Sequence, residues 1–232
     1  MGSVVAKSSI PRGELFLTSK VWVDRYGYDE CRKSVEESLG KLRTDYIDLM
    51  LLHHPFADYY GAWRALEDLY GEGKLKAIGV SNFYPDRLVD IASFSRIRPM
   101  VNQIETHPHF QQAEAHEWLE KYGVRHESWA PFGEGRNGLF ANATLAKIGA
   151  KHGKTAAQVM LRWQFQRGII VIPKSTHIER IRENFDVFGF ALPDEDMAAI
   201  AALDKKQSSF FSHQDPATVE WFVGVIKGET KA

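Results

Sequence analysis

The stretch from Asp45 to Val80, DYIDLMLLHHPFADYYGAWRALEDLYGEGKLKAIGV, decides the fold. Its run from Tyr46 to Leu52 is apolar at nearly every position rather than at alternate ones, which reads as a strand buried on both faces. Trp63, Leu66, Leu69 and Tyr70 then recur at helical spacing and lay an apolar stripe along one side. After Gly71 and Gly73, which fall at a helix end, Ala77 to Val80 forms another short apolar run. Strand, helix and strand in this order make a parallel β/α crossover.

The same grammar extends in both directions. Leu15 to Thr18, Val101 to Ile104, Val124 to Trp129 and Ile169 to Ile172 are further predicted strands, giving six in all. Cys31, Val35, Leu39 and Leu42 share one helix face. Thr155 opens a helix through Val159, Leu161 and Trp163 that Gly168 stops, and Pro193 with Asp194 opens another through Ile200 and Leu203. No Ser/Gly-rich linker or charge block divides the chain, so a single domain over 1–232 is expected, with a loop and tail from about 205 to 232. Gly133 to Gly138 lies inside a β/α unit and reads as a functional loop.

Two α/β folds fit this alternation, a doubly wound open sheet and a TIM-type (β/α)8 barrel. The open sheet would announce a nucleotide with Gly-x-Gly-x-x-Gly after its first strand, and Gly71, Gly73 and Gly79 are spaced wrongly for that. The barrel is preferred, with six strands visible.

Composition narrows the partners. The 232 residues are 44% hydrophobic, enough to bury a sizeable core. Lys plus Arg is 29 against 30 for Asp plus Glu, so no global positive field exists to hold nucleic acid or an anionic membrane. Cys31 is the sole cysteine and cannot close an intrachain disulfide, which points to a reducing, cytoplasmic setting. Neither a signal-peptide core nor an apolar run of membrane-spanning length is expected.

In a parallel barrel, chemistry gathers where strands end. The polar residues following the apolar runs are Lys20, His53, Ser81 with Asn82, Gln103, Trp129 and Lys174. Each has a plainer reading: a solvated lysine, a hydrogen-bonded histidine before Pro55, and Ser81 or Asn82 as the N-cap of a helix starting near Pro85. His107-Pro108-His109 hints at a metal, but no carboxylate or cysteine is placed to complete a site, so no metal is expected. A metal-dependent hydrolase built on His53, His107 and His109 ranks last.

Together, LFLTSKVW (15–22), DYIDLMLLHHP (45–55), GKLKAIGVSNF (73–83), PMVNQIETHP (99–108), SWAPF (128–132) and IPKSTHIERIREN (172–184) resemble the aldo-keto reductase family, especially its bacterial members similar to 2,5-diketo-gluconate and methylglyoxal reductases. The resemblance implies an NADPH-dependent reductase in which hydride passes from the nicotinamide to an aldehyde or ketone while a tyrosine donates a proton. It implies that Lys20 and His53 tune that proton transfer and that Trp22 and His54 line the substrate pocket. Ser81, Asn82 and Gln103 then hold the nicotinamide carboxamide, and Trp129 stacks on its ring. Lys174, Ser175 and Arg180 cradle the adenosine 2′-phosphate, and Glu183 and Asn184 meet the adenine. The stretch from Phe210 to His213 through Trp221 corresponds to the family's variable specificity loop.

The family's aspartate and proton-donating tyrosine precede the segment matching Lys20 and have no match in this sequence. A barrel lacking about the first two β/α units is therefore expected. Its open strand edges favour self-association, and the isolated chain reduces carbonyls weakly or not at all. Asp48, Tyr26 and Tyr28 are not expected to substitute. A non-catalytic NADP(H)-binding module or regulatory subunit is the alternative. Sugar acids, methylglyoxal-like aldehydes and aromatic aldehydes all stay open as the small-molecule carbonyl substrate.

Overall fold

The computed structural model describes residues 2–230. The chain runs α1 (Gly2–Lys7), β1 (Thr18–Val21), α2 (Tyr28–Leu42), β2 (Leu49–Leu52), α3 (Tyr59–Gly71), β3 (Ile78–Ser81) and α4 (Pro85–Phe94). It continues through β4 (Val101–Glu105), α5 (Ala113–Tyr122), β5 (Arg125–Trp129), α6 (Ala143–His152) and α7 (Ala156–Gln166). It closes with β6 (Ile170–Val171), α8 (Ile178–Phe185), α9 (Asp194–Ala201) and α10 (Pro216–Lys227). The strands form a six-stranded sheet in the order β1 to β6, and the pairs β1–β2, β2–β3 and β5–β6 are parallel. Strands entering a sheet in chain order with helices between them follow the pattern of a (β/α)8 barrel, as the sequence predicts.

The chain divides into two compact units, the first holding residues up to Asn102, Trp118–Val124 and the segment from His213 on. There β2 is buried throughout. Met50 and Leu52 pack with Trp63, Leu66, Ile78 and Val80, while Leu49 and Leu51 pack with Val101 in a separate cluster. Because successive side chains of a strand point to opposite faces, burial at every position means both faces are covered. Cys31, Val35 and Leu39 bring α2 into the same core. Trp63 is 1% exposed and its Nε1 donates to the Ile97 carbonyl at 3.0 Å. On β3, a Cβ at Gly79 would stand 2.5 Å from the Val101 carbonyl oxygen, so the close approach of backbone there requires glycine.

The first strand lies later than expected, at Thr18–Val21 rather than from Leu15. The cause is an ion pair. Arg12 binds Asp48 at 2.7 Å and also donates to the carbonyls of Leu15 and Tyr46. The Leu17 N–H then donates to the Asp48 side chain at 2.8 Å while its carbonyl accepts from the Asp48 and Leu49 N–H groups, and regular pairing begins at Thr18. Asp48 thus serves the fold.

The second unit comprises Gln103–Glu117 and Arg125–Ser212. Leu145 and Ile148 of α6, Val159, Met160 and Trp163 of α7, and Leu192 with Ile200 form its core. Thr155 begins α7 with a full capping box, its hydroxyl accepting from the Gln158 N–H while the Gln158 side chain accepts from the Thr155 N–H. Helix α9 ends at Ala201, short of Leu203, which still packs against the core. No helix among the described residues is long and apolar enough to cross a membrane.

Candidate active site

In the first unit, parallel pairing sets Lys20 opposite Leu51, and the His53 N–H donates to the Val21 carbonyl at 3.1 Å. The residues leaving β1 and β2 therefore meet. The Trp22 ring stands edge-on to His53 and His54, at 4.9 and 5.0 Å between centroids. His53 and His54 stack on one another at 4.4 Å and 6°. At the end of β3, Asn82 takes a left-handed φ of 63°, a conformation asparagine tolerates better than most residues. Its amide donates to the His53 carbonyl at 3.0 Å and to the Ser81 hydroxyl at 3.1 Å. The N-cap position of α4 belongs to Tyr84, without a side-chain cap, so the plainer reading of Ser81 and Asn82 as cap residues does not hold.

Burial dominates the electrostatics of this cluster. His53 is pushed down to about 4 by desolvation, then by Lys20 and His213, and His54 to about 2 by desolvation with His53, His213 and Lys20. Both rings are neutral near pH 7, each with one N–H to donate. The neighbouring tyrosines are committed elsewhere. The Tyr26 hydroxyl donates to the His54 carbonyl at 2.9 Å and accepts from the His54 N–H at 3.1 Å, and burial raises its pKa. Tyr28 donates to Asp68 at the surface.

The second unit holds the remaining candidates. Gln103 on β4 donates through Nε2 to Glu127 on β5, both side chains being buried. The Trp129 ring lies 5.0 Å from Phe210. Beyond β6, Lys174 and Arg180 are exposed, and the Ser175 hydroxyl accepts from the His177 N–H at 3.1 Å just before α8. Glu183 accepts from the Thr155 hydroxyl. Asn184 lines an apolar hollow of about 710 Å3 with Pro173, Ile181, Phe185 and Phe188.

The loop from Gly133 carries left-handed residues at Glu134, Gly135, Asn137 and Gly138. Arg136 lies over the Phe210 ring at 4.3 Å, and Asn137 donates to the Ser209 hydroxyl at 2.8 Å. The Ser208 hydroxyl and the Ser209 N–H both donate to Glu105, which also contacts His107 Nε2 at 2.8 Å. His107 is thereby engaged, and among the described residues no group of three His, Cys, Asp or Glu side chains could hold a metal. Sequence reasoning missed Glu105 and Glu127. The available signal was a carboxylate in or beside a buried strand, since such a group needs a donor.

Helices alternating with the strands of a sheet laid down in chain order are the architecture of the barrel class. The comparison with known proteins is specific: the chain belongs to the aldo/keto reductase family, whose model matches residues 1–205. Glyoxal reductase of Bacillus subtilis is 45% identical over 208 residues, spanning 89% of this chain and 75% of that relative. An aldo-keto reductase from a Medee basin deep-sea metagenome library shares 41% identity with a TM-score of 0.89, covering 92% of this chain and 80% of the other. A Bombyx mori aldo-keto reductase in complex with NADP shares 34% identity with a TM-score of 0.86, over 94% and 76%. The family assigned from six motif segments is therefore the correct one.

Proposed function

We propose that this chain carries the cofactor-binding and carbonyl-orienting residues of an NADPH-dependent reductase of small aldehydes and ketones, with weak turnover expected because the family's proton-donating tyrosine and its aspartate have no match in the sequence. The half-buried, neutral His53, set against Trp22 and close to the charge of Lys20, carries this reading. A neutral imidazole donates a hydrogen bond to a carbonyl oxygen, the Lys20 ammonium favours the negative charge that grows on that oxygen as the carbon accepts hydride, and a proton from solvent completes the alcohol. Trp22 and His54 supply a largely apolar wall that excludes water.

NADPH, when bound, supplies the hydride. The donor set fits it. Asn82, with its N–H groups engaged by His53 and Ser81, offers its amide oxygen and Ser81 its hydroxyl to a carboxamide, and Gln103, with an N–H engaged by Glu127, offers its carbonyl oxygen. Trp129 presents an aromatic face to the nicotinamide. Lys174, Arg180 and Ser175 supply two cations and a hydroxyl around the start of α8, which is what a 2′-phosphate dianion requires. Glu183 and Asn184 offer polar contacts to adenine.

The glyoxal reductase relative favours small aldehydes as substrates. The buried, lone Cys31 suits the cytoplasm. β1 and β6 stand at the two ends of the sheet order, which supports self-association through strand edges. One observation favours the second reading, an NADP(H)-binding module without turnover: the hydroxyls of Tyr26 and Tyr28 are engaged by His54 and Asp68.

Fluorescence titration with NADPH, followed by NADPH consumption with glyoxal, separates the two. Binding with turnover that falls in His53→Gln supports the reductase. Binding without turnover supports the module, and no binding defeats both.

A further inference from the structure

The segment leading into α10 reaches the imidazole cluster within the first unit. His213 Nε2 lies 2.9 Å from His54 Nδ1, and the two rings stack at 5.1 Å. Phe222 of α10 packs on His54 at 4.5 Å and on Trp22 at 6.1 Å, with Phe56 at 5.9 Å from His54. His54 is 4% exposed and His213 6%. Two apolar rings would fill this cage without the desolvation cost of two imidazoles, so packing alone does not account for the pair.

Two neutral imidazoles that share one hydrogen bond must adopt complementary tautomers, because one nitrogen donates and the other accepts. The tautomer of His54 is therefore tied to that of residue 213. We propose that His213 is a positioning residue whose Nε2–H donates to His54 Nδ1, holding His54 as the Nε2–H tautomer so that the wall beside His53 offers a donor to substrate oxygen. The value of a donor there rests on the reductase reading, whereas the tautomer lock does not. No proton leaves the pair, and the bond acts only through orientation and polarity. The partner of His54 thus comes from the segment that the resemblance ties to specificity.

The test is long-range proton–nitrogen correlation NMR on the full chain labelled with 15N-histidine, at pH 7. The wild type is expected to show His54 as a single Nε2–H tautomer with Nδ1 at the shift of a hydrogen-bond acceptor. His213→Leu should give a tautomer mixture at His54, and His213→Gln, whose amide N–H reaches the same acceptor, should restore the single form. An unchanged His54 spectrum in His213→Leu, or a wild-type Nδ1–H form, overturns the proposal. If His213→Leu fails to fold by circular dichroism, His213→Gln against the shorter His213→Asn decides: the lock kept in the first and lost in the second supports the proposal, and equal spectra overturn it. NADPH titration of the same samples separates the two readings. A lock without NADPH binding defeats the reductase assignment alone, and binding without a lock defeats the role of His213 alone.

Discussion

Two groups of candidate residues, one in each unit, are held in opposite ways. In the first, His54, Ser81 and Asn82 are buried and fastened to neighbouring strand ends or to His213 before any ligand arrives. In the second, Lys174 and Arg180 stand exposed at the start of α8. Under the function proposed above, the difference follows from the charge each group would meet. A small neutral carbonyl is oriented by groups already desolvated, whose placement costs nothing at the moment of binding. On the same proposed reading, cations that would meet a phosphate remain in water, because burying an unpaired ammonium or guanidinium would cost several kcal/mol.

The sharpest way to break this contrast is to cut into each unit's apolar surface. Trp63→Ala in the first unit should lose about 3–5 kcal/mol in urea unfolding. Phe185→Ala in the second, where the ring is 76% exposed, should stay within about 0.5 kcal/mol. Comparable losses would mean that the second unit's apolar face is covered in solution.

Acid should act on the first unit next. His53 and His213 are held down to about 4 and His54 to about 2, all chiefly by burial, against about 6.5 when unfolded. Between those values the unfolded chain binds protons that the folded chain refuses, so stability rises with pH. It is complete above about pH 6.5 and is lost as pH falls toward 4, by an amount on the order of a few kcal/mol. Urea midpoints from pH 7.5 to 4.5 measure this, and His213→Gln should flatten the slope.

A finer cut compares two tyrosines. Tyr26→Phe removes a hydroxyl that serves both the N–H and the carbonyl of His54, and should cost about 1–3 kcal/mol. Tyr28→Phe breaks a surface bond to Asp68 and should stay within about 0.5 kcal/mol. Thermal melts of the two variants give the comparison directly.

The contrast also explains what could be read from sequence. β2, α3 and β3 are legible because burial on both faces writes an uninterrupted apolar run, and α3 writes its stripe at helical spacing. β1 slipped because Arg12 and Asp48, 36 residues apart, pin the preceding segment, and such a pair leaves no periodic trace. The strand-end residues were legible as a set, yet the groups that fasten them were not. Glu127 lies 24 residues from Gln103 and His213 lies 159 from His54. Contacts of that span depend on how the chain folds back within each unit, which neither spacing nor propensity records.

The smallest change in stability accompanies the most direct test. Dissociation constants for NADPH and NADH are measured by fluorescence on the wild type and on Arg180→Ala. The exposed-cation account predicts NADPH bound more tightly than NADH by the wild type. In the variant NADPH should weaken about tenfold or more, the loss of about 1.4 kcal/mol or more from a charge-assisted contact, with NADH affinity and the melting temperature unchanged. Equal affinity for the two nucleotides in the wild type, or an equal loss for both in the variant, would contradict it.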